Sequence, residues 1–508
     1  MTLKLFSRAQ LLTLSNAHGD AVLVDSGRIS GIGSREDLLA SAGRQDVEEV
    51  DMDGAVLMPG FVDGHTHLEL SCITQEQHLQ MHAPPVTSLV QILEEIRQRR
   101  ATQPDGWIVV RSSFALDRKV VEGRLLGRDE LDSVSPDAPV VVLAGLHVAS
   151  LNTVGMRAVQ LEMPERLDPG MTVHRGRDGR PSGIFTEVWD RLPAATEIES
   201  YAALRRHAHS LVAAHGITSL CTIPTSVADV RALHALRVED QLPFRVRFYP
   251  HVPRVGPLSS VLSLGAPSGF GDSMLQFGGV KIFVDGEGGD GLGAEFDDVK
   301  WTEQELSDLV GEATASRVQL FMHAVTGTGI RAAMAAVAQH WGSRPLRAPA
   351  PHRIEHSGDY VPRELIADLA QSGIGVVATP HFVGSDDVGD DFQPLRKLID
   401  AGVRVIGATD STGTVPSGAP PLSNIASAVT RRDAAGNPSP HRISAEHALR
   451  MFTDWAARGQ GEGGKKGVLQ EGALADFAIL DANPLKVSPE DIAGIRVLGT
   501  VLNGARVG

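Results

Sequence analysis

The chain has 508 residues, 42% of them apolar and 21% charged, with a formal net charge of −15 at pH 7. That length accommodates one large domain plus a smaller one, and the composition supplies a sizeable core. The acidic balance disfavours nucleic acid and anionic membrane as partners, no run approaches the ~18 apolar residues of a membrane span, and the two cysteines, Cys72 and Cys221, form no disulfide framework.

Residues 1 to about 58 alternate short apolar runs with turns, as in Ala21-Val22-Leu23-Val24 followed by Asp25-Ser26-Gly27-Arg28-Ile29. This texture predicts a small β module. Met1 to Ser7 lacks a long apolar stretch before a small-residue cleavage site, which, with the sparse cysteines, leads us to expect a cytoplasmic protein. The segment Leu57 to His67 then carries an apolar run into two histidines, His65 and His67. Residues i and i+2 of a strand share a face, so these imidazoles can converge on a metal ion. Alone, such a pair occurs as readily on surfaces and in hydrogen-bonded cores.

Farther along, continuous apolar runs recur between helix-like stretches, as expected of strands buried on both faces. Candidate strands are 107–110, 140–143, 218–220, 280–284, 318–322, 352–355, 375–378 and 403–406. Helical patterns cover 302–315 and 362–372. Repeated β–α units predict an α/β protein with a (β/α)8 barrel carrying insertions. A doubly wound sheet is the alternative, but no Gly-rich phosphate turn follows an early strand. The Gly-rich stretch 286–293 reads as a loop and lacks the Lys-Ser/Thr of a P-loop. The C-terminus returns to β texture at Gly472–Asp481 and Val497–Gly504. The expected domains are therefore a composite β-sandwich of residues 1–58 and 467–508, and a barrel of 59–466 with an insertion at roughly 72–280.

Several of these strands end in metal-capable residues. His323 ends one run, His356 another and Asp410 a third, while Lys281 is a charged residue inside Gly279-Val280-Lys281-Ile282-Phe283. Each has a bland reading: a hydrogen-bonded histidine, a turn-capping aspartate, a snorkelling lysine. Together they stand in the order His-x-His, Lys, His, His, Asp at or near C-terminal strand ends, where barrel enzymes place their chemistry.

With these residues the chain resembles the amidohydrolase superfamily, and within it the family 3 branch of N-substituted formamide deformylase-like proteins. The resemblance spans essentially the whole chain and rests on Pro59–His67, Gly279–Gly286, Arg353–His356 and Gly472–Asp481. It implies a hydrolase cleaving an amide or N-formyl C–N bond of a small molecule by metal-activated hydroxide. It implies two divalent metal ions, zinc expected, with His65 and His67 on the more buried one, His323 and His356 on the other, and a CO2-derived carbamate on Lys281 between them. Asp410 would bind metal and serve as the catalytic proton carrier. The physics agrees: an ammonium beside imidazole ligands would repel a cation, whereas a carbamate is an anion with two oxygens.

His147, in Leu146-His147-Val148, and His381, in Thr379-Pro380-His381, are the expected substrate-binding residues. Glu187 and Glu355 could orient ligands, Glu355 equally being an ion-pair partner. Cys72, five residues past His67, could in principle bridge metals as a thiolate, but Lys281 fills that role and Cys72 reads as an inert thiol, with Cys221 a core residue. The sequence departs from the branch after His323, after Asp285, at Thr379-Pro380-His381 and after Asp410, all loop positions that shape a substrate pocket. Two other functions use similar residues: a single-metal deaminase of an aromatic or heterocyclic amine, and a non-catalytic binding protein on this scaffold. Lys281 weighs against the first and Asp410 against the second. A homodimer is the base-rate expectation.

Overall fold

The computed structural model describes residues 3–163, 171–188, 191–285, 299–340, 350–384, 392–411, 420–433 and 435–507. The Gly-rich stretch 286–293 lies outside the described residues, as do Thr412 and Gly413. The architecture is mixed α/β. Eight parallel strands carry the candidate site: β1 Phe61–Thr66, β2 Ile217–Thr222, β3 Arg245–Phe248, β4 Gly279–Phe283, β5 Gln319–His323, β6 Arg353–Glu355, β7 Gly375–Ala378 and β8 Val405–Gly407. Strands β1, β2 and β3 pair in that order, and β4 to β8 pair successively in a second sheet. Nearly every side chain on these strands is buried, as their unbroken apolar runs predict.

The two sheets meet on both flanks. Leu275–Phe277 runs beside β3, and the chain passes through Gly278 directly into β4. There Lys281 N–H donates to Pro250 O at 3.0 Å, and Val252 N–H to Lys281 O at 2.9 Å. Gly279 is required at this junction, because a Cβ would lie 2.0 Å from the Gln319 carbonyl oxygen. On the other flank, Asp410 N–H donates to His65 O at 3.0 Å, and a Cβ on Gly64 would lie 2.7 Å from Gly407 O.

Amphipathic helices link the strands. Helix Glu303–Ala315 is opened by Thr302, whose hydroxyl accepts from Glu305 N–H while Glu305 reaches back in a capping box. Its buried Leu306, Leu309, Val310 and Ala313 share one face at helical spacing. The expected helix over 362–372 starts as a 3-10 turn, Arg363–Leu365, and continues as Ile366–Ser372.

Candidate strands 107–110 and 140–143 form, but not in this series. As Ile108–Ser112 and Val140–Ala144 they pair with each other inside a separate six-stranded sheet whose edges are Leu79–Met81 and Thr172–Arg175. Apolar clusters cover both its faces, Ile108, Val110 and Val142 on one side and Val141, Leu143 and Phe185 on the other. Its strands therefore carry the same unbroken apolar runs as β1 to β8. Strands β2 and β3, which fall inside the stretch 72–280 expected as an insertion, pair with β1 and with each other.

The two chain ends share one module. One sheet is Arg28–Gly33, Ala21–Asp25, Leu3–Ser7 and Val47–Asp51; the other is Gln10–Leu11, Val56–Pro59, Phe477–Leu480, Val497–Leu502 and Ala505–Val507. Phe6, Val22, Val24, Leu57, Phe477 and Val501 form one apolar cluster drawn from both sheets. Val56–Pro59 leads through Gly60 into β1, so the module abuts the strand that bears the histidine pair.

Below the strands, a buried ion cluster fixes β3 to the segment before the C-terminal strands. Glu462 takes Arg247 Nε at 2.9 Å and Lys466 Nζ at 2.5 Å. Burial alone would raise the Glu462 pKa, but the Lys466 and Arg247 cations override it and the carboxyl falls to about 2. A folded-state pKa below the unfolded value means stability that is present above about pH 4.5 and lost as pH falls toward 2. Glu462→Gln also strands two buried cations, so a loss of roughly 3 kcal/mol is expected at pH 7. Melting curves should show the gap to wild type closing below pH 4; a gap independent of pH would refute the assignment.

Candidate metal centre

The centre is built on the C-terminal ends of β1, β4, β5, β6 and β8. His65 and His67 project to the same side, their ring centroids 5.4 Å apart. His65 is fully buried, and its Nδ1 lies 2.5 Å from Glu355 Oε2. Glu355 is itself held by Arg353 through bonds of 3.0 and 2.8 Å, and Arg353 donates to Gly64 O at 2.8 Å. The Arg353 guanidinium sits 3.7 Å from the centre of the Phe321 ring. Glu355 thus pairs with Arg353 and fixes the His65 ring. A proton on Nδ1 facing this carboxylate leaves His65 Nε2 with a free lone pair.

Asp410 follows β8 in a left-handed conformation, with φ 45°. Asp63 pins that turn: its carboxylate accepts from Thr409 N–H at 3.0 Å, Thr409 Oγ1 at 2.5 Å and His65 N–H at 3.2 Å. Asp410 Oδ1 consequently lies 3.7 Å from both His65 Nε2 and His67 Nε2. One ligand atom from each of the three residues lies within 4.8 Å of the others, a spacing that can hold a metal ion.

The remaining imidazoles line up beside them. His356, also left-handed at φ 65°, has its ring 4.9 Å from His65 and 4.8 Å from His323. His323 is 5.3 Å from His147. Lys281 is buried in β4, its Nζ 5.1 Å from the centre of the Phe283 ring. Burial pushes its pKa down, and burial pushes that of Asp410 up. Burial, reinforced by neighbouring cations, lowers His65, His67, His323 and His356 below the ordinary histidine value, His67 to about 3. All four are neutral at pH 7, the protonation state a metal ligand needs.

His65 Nε2, His67 Nδ1, His323 Nε2 and Asp410 Oδ1 are buried with no hydrogen-bond partner. Orphaned buried polar atoms are rare and costly, and two of these, His65 Nε2 and Asp410 Oδ1, face each other at 3.7 Å as a shared cation would require. The thiols do not suit a cation: burial raises Cys72 well above the usual range and Cys221 to about 11, keeping both protonated.

His147 arrives from the inserted sheet. Its Nδ1 lies 2.7 Å from Glu187 Oε1, and Glu187 Oε2 accepts from Lys300 Nζ at 3.0 Å. His381 lies in the turn Pro380–Gly384 after β7, where its backbone N–H donates to Asn424 Oδ1 at 3.0 Å. Among the described residues its ring makes no contact with the histidine cluster. Three further polar residues belong to the site's support. Asp63 was detectable as an acid two residues before His65 on a buried strand face. Asp285, which accepts from Val325 N–H and Thr326 N–H at 3.1 and 2.9 Å, was detectable as the acid following the β4 run, whereas Lys300 carries no local signal.

Glu355→Gln keeps the shape but replaces the carboxylate facing His65 Nδ1. Metal affinity should fall by roughly 10–100-fold, read by competition with a chromogenic chelator. An unchanged affinity would remove Glu355 from the centre.

A family model described as "Amidohydrolase family" matches residues 48–507. The chain is 25% identical over 531 residues to the N-substituted formamide deformylase of Arthrobacter pascens, covering 96% of this chain and 95% of that protein. An uncharacterized metal-dependent hydrolase from Pyrococcus horikoshii superposes with a TM-score of 0.72 at 20% identity, over 96% of this chain and 99% of that one. The zinc-complexed atrazine chlorohydrolase TrzN of Arthrobacter aurescens superposes at 0.56 with 17% identity, over 100% and 95%. At these identities the two structures share the fold with this chain.

Proposed function

The chain belongs to the amidohydrolase family, and we propose that it hydrolyses a carbon–nitrogen bond, of the amide or N-formyl type, in a small molecule. The convergence of His65, His67 and Asp410, with His65 Nε2 and Asp410 Oδ1 orphaned, carries the reading. The likeness to a formamide deformylase supports the bond type. We read β1 to β8 as one (β/α)8 barrel of residues 59–466, and the terminal module of 1–58 and 467–508 as a β-sandwich packed against it.

His65, His67 and Asp410 would hold one divalent ion, and His323 and His356 a second, with zinc expected from the zinc-complexed relative. When bound, such ions lower the pKa of water toward ~7 and polarise a carbonyl. Lys281 would supply the shared anionic ligand as a carbamate; its burial favours the neutral amine that adds to CO2, with release of a proton. Asp410 takes the proton of the attacking water and returns it to the leaving nitrogen. His147, held by Glu187 and Lys300, orients the substrate, and His381 contributes from the β7 loop if that turn closes over it.

Two measurements test the reading. Elemental analysis should find up to two transition-metal ions per chain, and a panel of N-formyl, N-acyl and cyclic amides should yield a hydrolysed substrate. A protein that stays metal-free with zinc and bicarbonate, and cleaves nothing in the panel, overturns it. Ammonia released from an aromatic amine, with no amide cleaved, would reassign it as a deaminase.

A further inference from the structure

A cavity of about 560 Å³ lies between the inserted sheet and helix Leu68–Gln77, which begins directly after His67. Val109 and Arg111 of one strand, Trp107 just before it, and Val141 and Leu143 of its neighbour line it. Arg111 is the anomaly on this wall. It is 7% exposed, its Nε has no hydrogen-bond partner, and among the described residues no carboxylate pairs with it.

Each acid bordering the same cavity makes its hydrogen bonds elsewhere, and the second oxygen of Glu69 is itself buried without a partner. Glu69 accepts from the Thr222 hydroxyl, Glu76 pairs with Arg206 and His207, Glu199 receives Thr196, and Asp229 takes Ser200 and Ser226. Burial, and then the neighbouring Arg254 cation, lower the Arg111 pKa to about 10, which still leaves it charged at pH 7. A buried guanidinium is costly unless an anion completes it. Its five donors in a planar fork match a carboxylate. Glu69, two residues after His67, lines the cavity, which therefore reaches the segment that bears the histidine pair.

We propose that Arg111 receives a carboxylate of the substrate, so that the amides hydrolysed are N-acyl or N-formyl compounds bearing an acid group. This rests on the proposed hydrolysis for its chemistry, but the binding site stands on Arg111 and the cavity.

The test is calorimetric, with the metal-loaded Asp410→Asn protein so that turnover does not consume the ligand. N-formylglycine should bind about tenfold or more tightly than N-formylglycinamide, which differs only in lacking the charge. Adding Arg111→Met should abolish the preference, and Arg111→Lys should retain part of it. The melting temperature of Arg111→Met should not fall, since an unpaired buried charge is removed; a merely structural arginine would lower it. Equal binding of acid and amide, a preference that survives Arg111→Met, or acetate binding as tightly as N-formylglycine overturns the proposal. Acid preference without hydrolysis of any amide by wild type would remove the proposed reaction and leave this site. Hydrolysis of neutral N-formylamines without acid preference would do the reverse.

Discussion

An Asp410→Asn enzyme is expected to keep its metals and lose turnover by roughly 10²- to 10⁴-fold, the contribution of a positioned proton carrier. The geometry separates the two effects. Asparagine retains a carbonyl oxygen that can ligate, and the left-handed turn at position 410 is tolerated by asparagine as by aspartate. The lock on that turn survives too, because Asp63 holds Thr409 and His65 rather than Asp410 itself. What the amide cannot do is accept a proton from water and pass it on. Metal content by elemental analysis and kcat on the best panel substrate together decide the matter. Retained turnover reassigns the proton carrier, and lost metal makes Asp410 chiefly a ligand.

Lys281→Ala should lose metal and activity together, by about 10³-fold or more where Lewis-acid assistance is removed. Lys281 is 1% exposed, so its removal leaves a void that solvent fills poorly. Short carboxylates such as formate, acetate and propionate fit that void and present the two oxygens that a carbamate would. Partial recovery of both metal and kcat with millimolar acid, and none in wild type, is the expected signature. Undiminished activity in the variant would refute the carbamate, and loss without rescue would make Lys281 a structural residue.

Much of this arrangement is legible residue by residue. Six of the eight parallel strands are visible as apolar runs, and β1 as the approach to His65. Strand β3 is not, because Arg245 and Arg247 break its run. Both arginines are buried, and each is matched by an acid more than 200 residues away, Asp476 and Glu462. The inserted strands at 108–112 and 140–144 mislead for the opposite reason: a sheet covered on both faces writes the same runs wherever it sits in the fold. At the site, residues that end strands are readable, since their direction follows from the pleat. His381 is not, since a position after a strand end does not say which way the loop turns. The support is readable only in part: Glu355 stands out as the acid beside His356, but no local pattern encodes its contact with His65 across 290 residues.

The shared terminal module has a consequence for synthesis. Val56–Pro59, the strand that delivers β1, is an interior strand of its sheet, flanked by Gln10–Leu11 and by Phe477–Leu480. A ribosome adding 5–20 residues per second leaves that second edge bare for roughly 20–80 s. Through that interval the nascent chain presents an unpaired, wholly apolar β edge next to the histidine pair. The last strands made are therefore the ones that seat the first ligands. A chain truncated before Phe477 should be lost to aggregation or proteolysis rather than survive as a weakened catalyst.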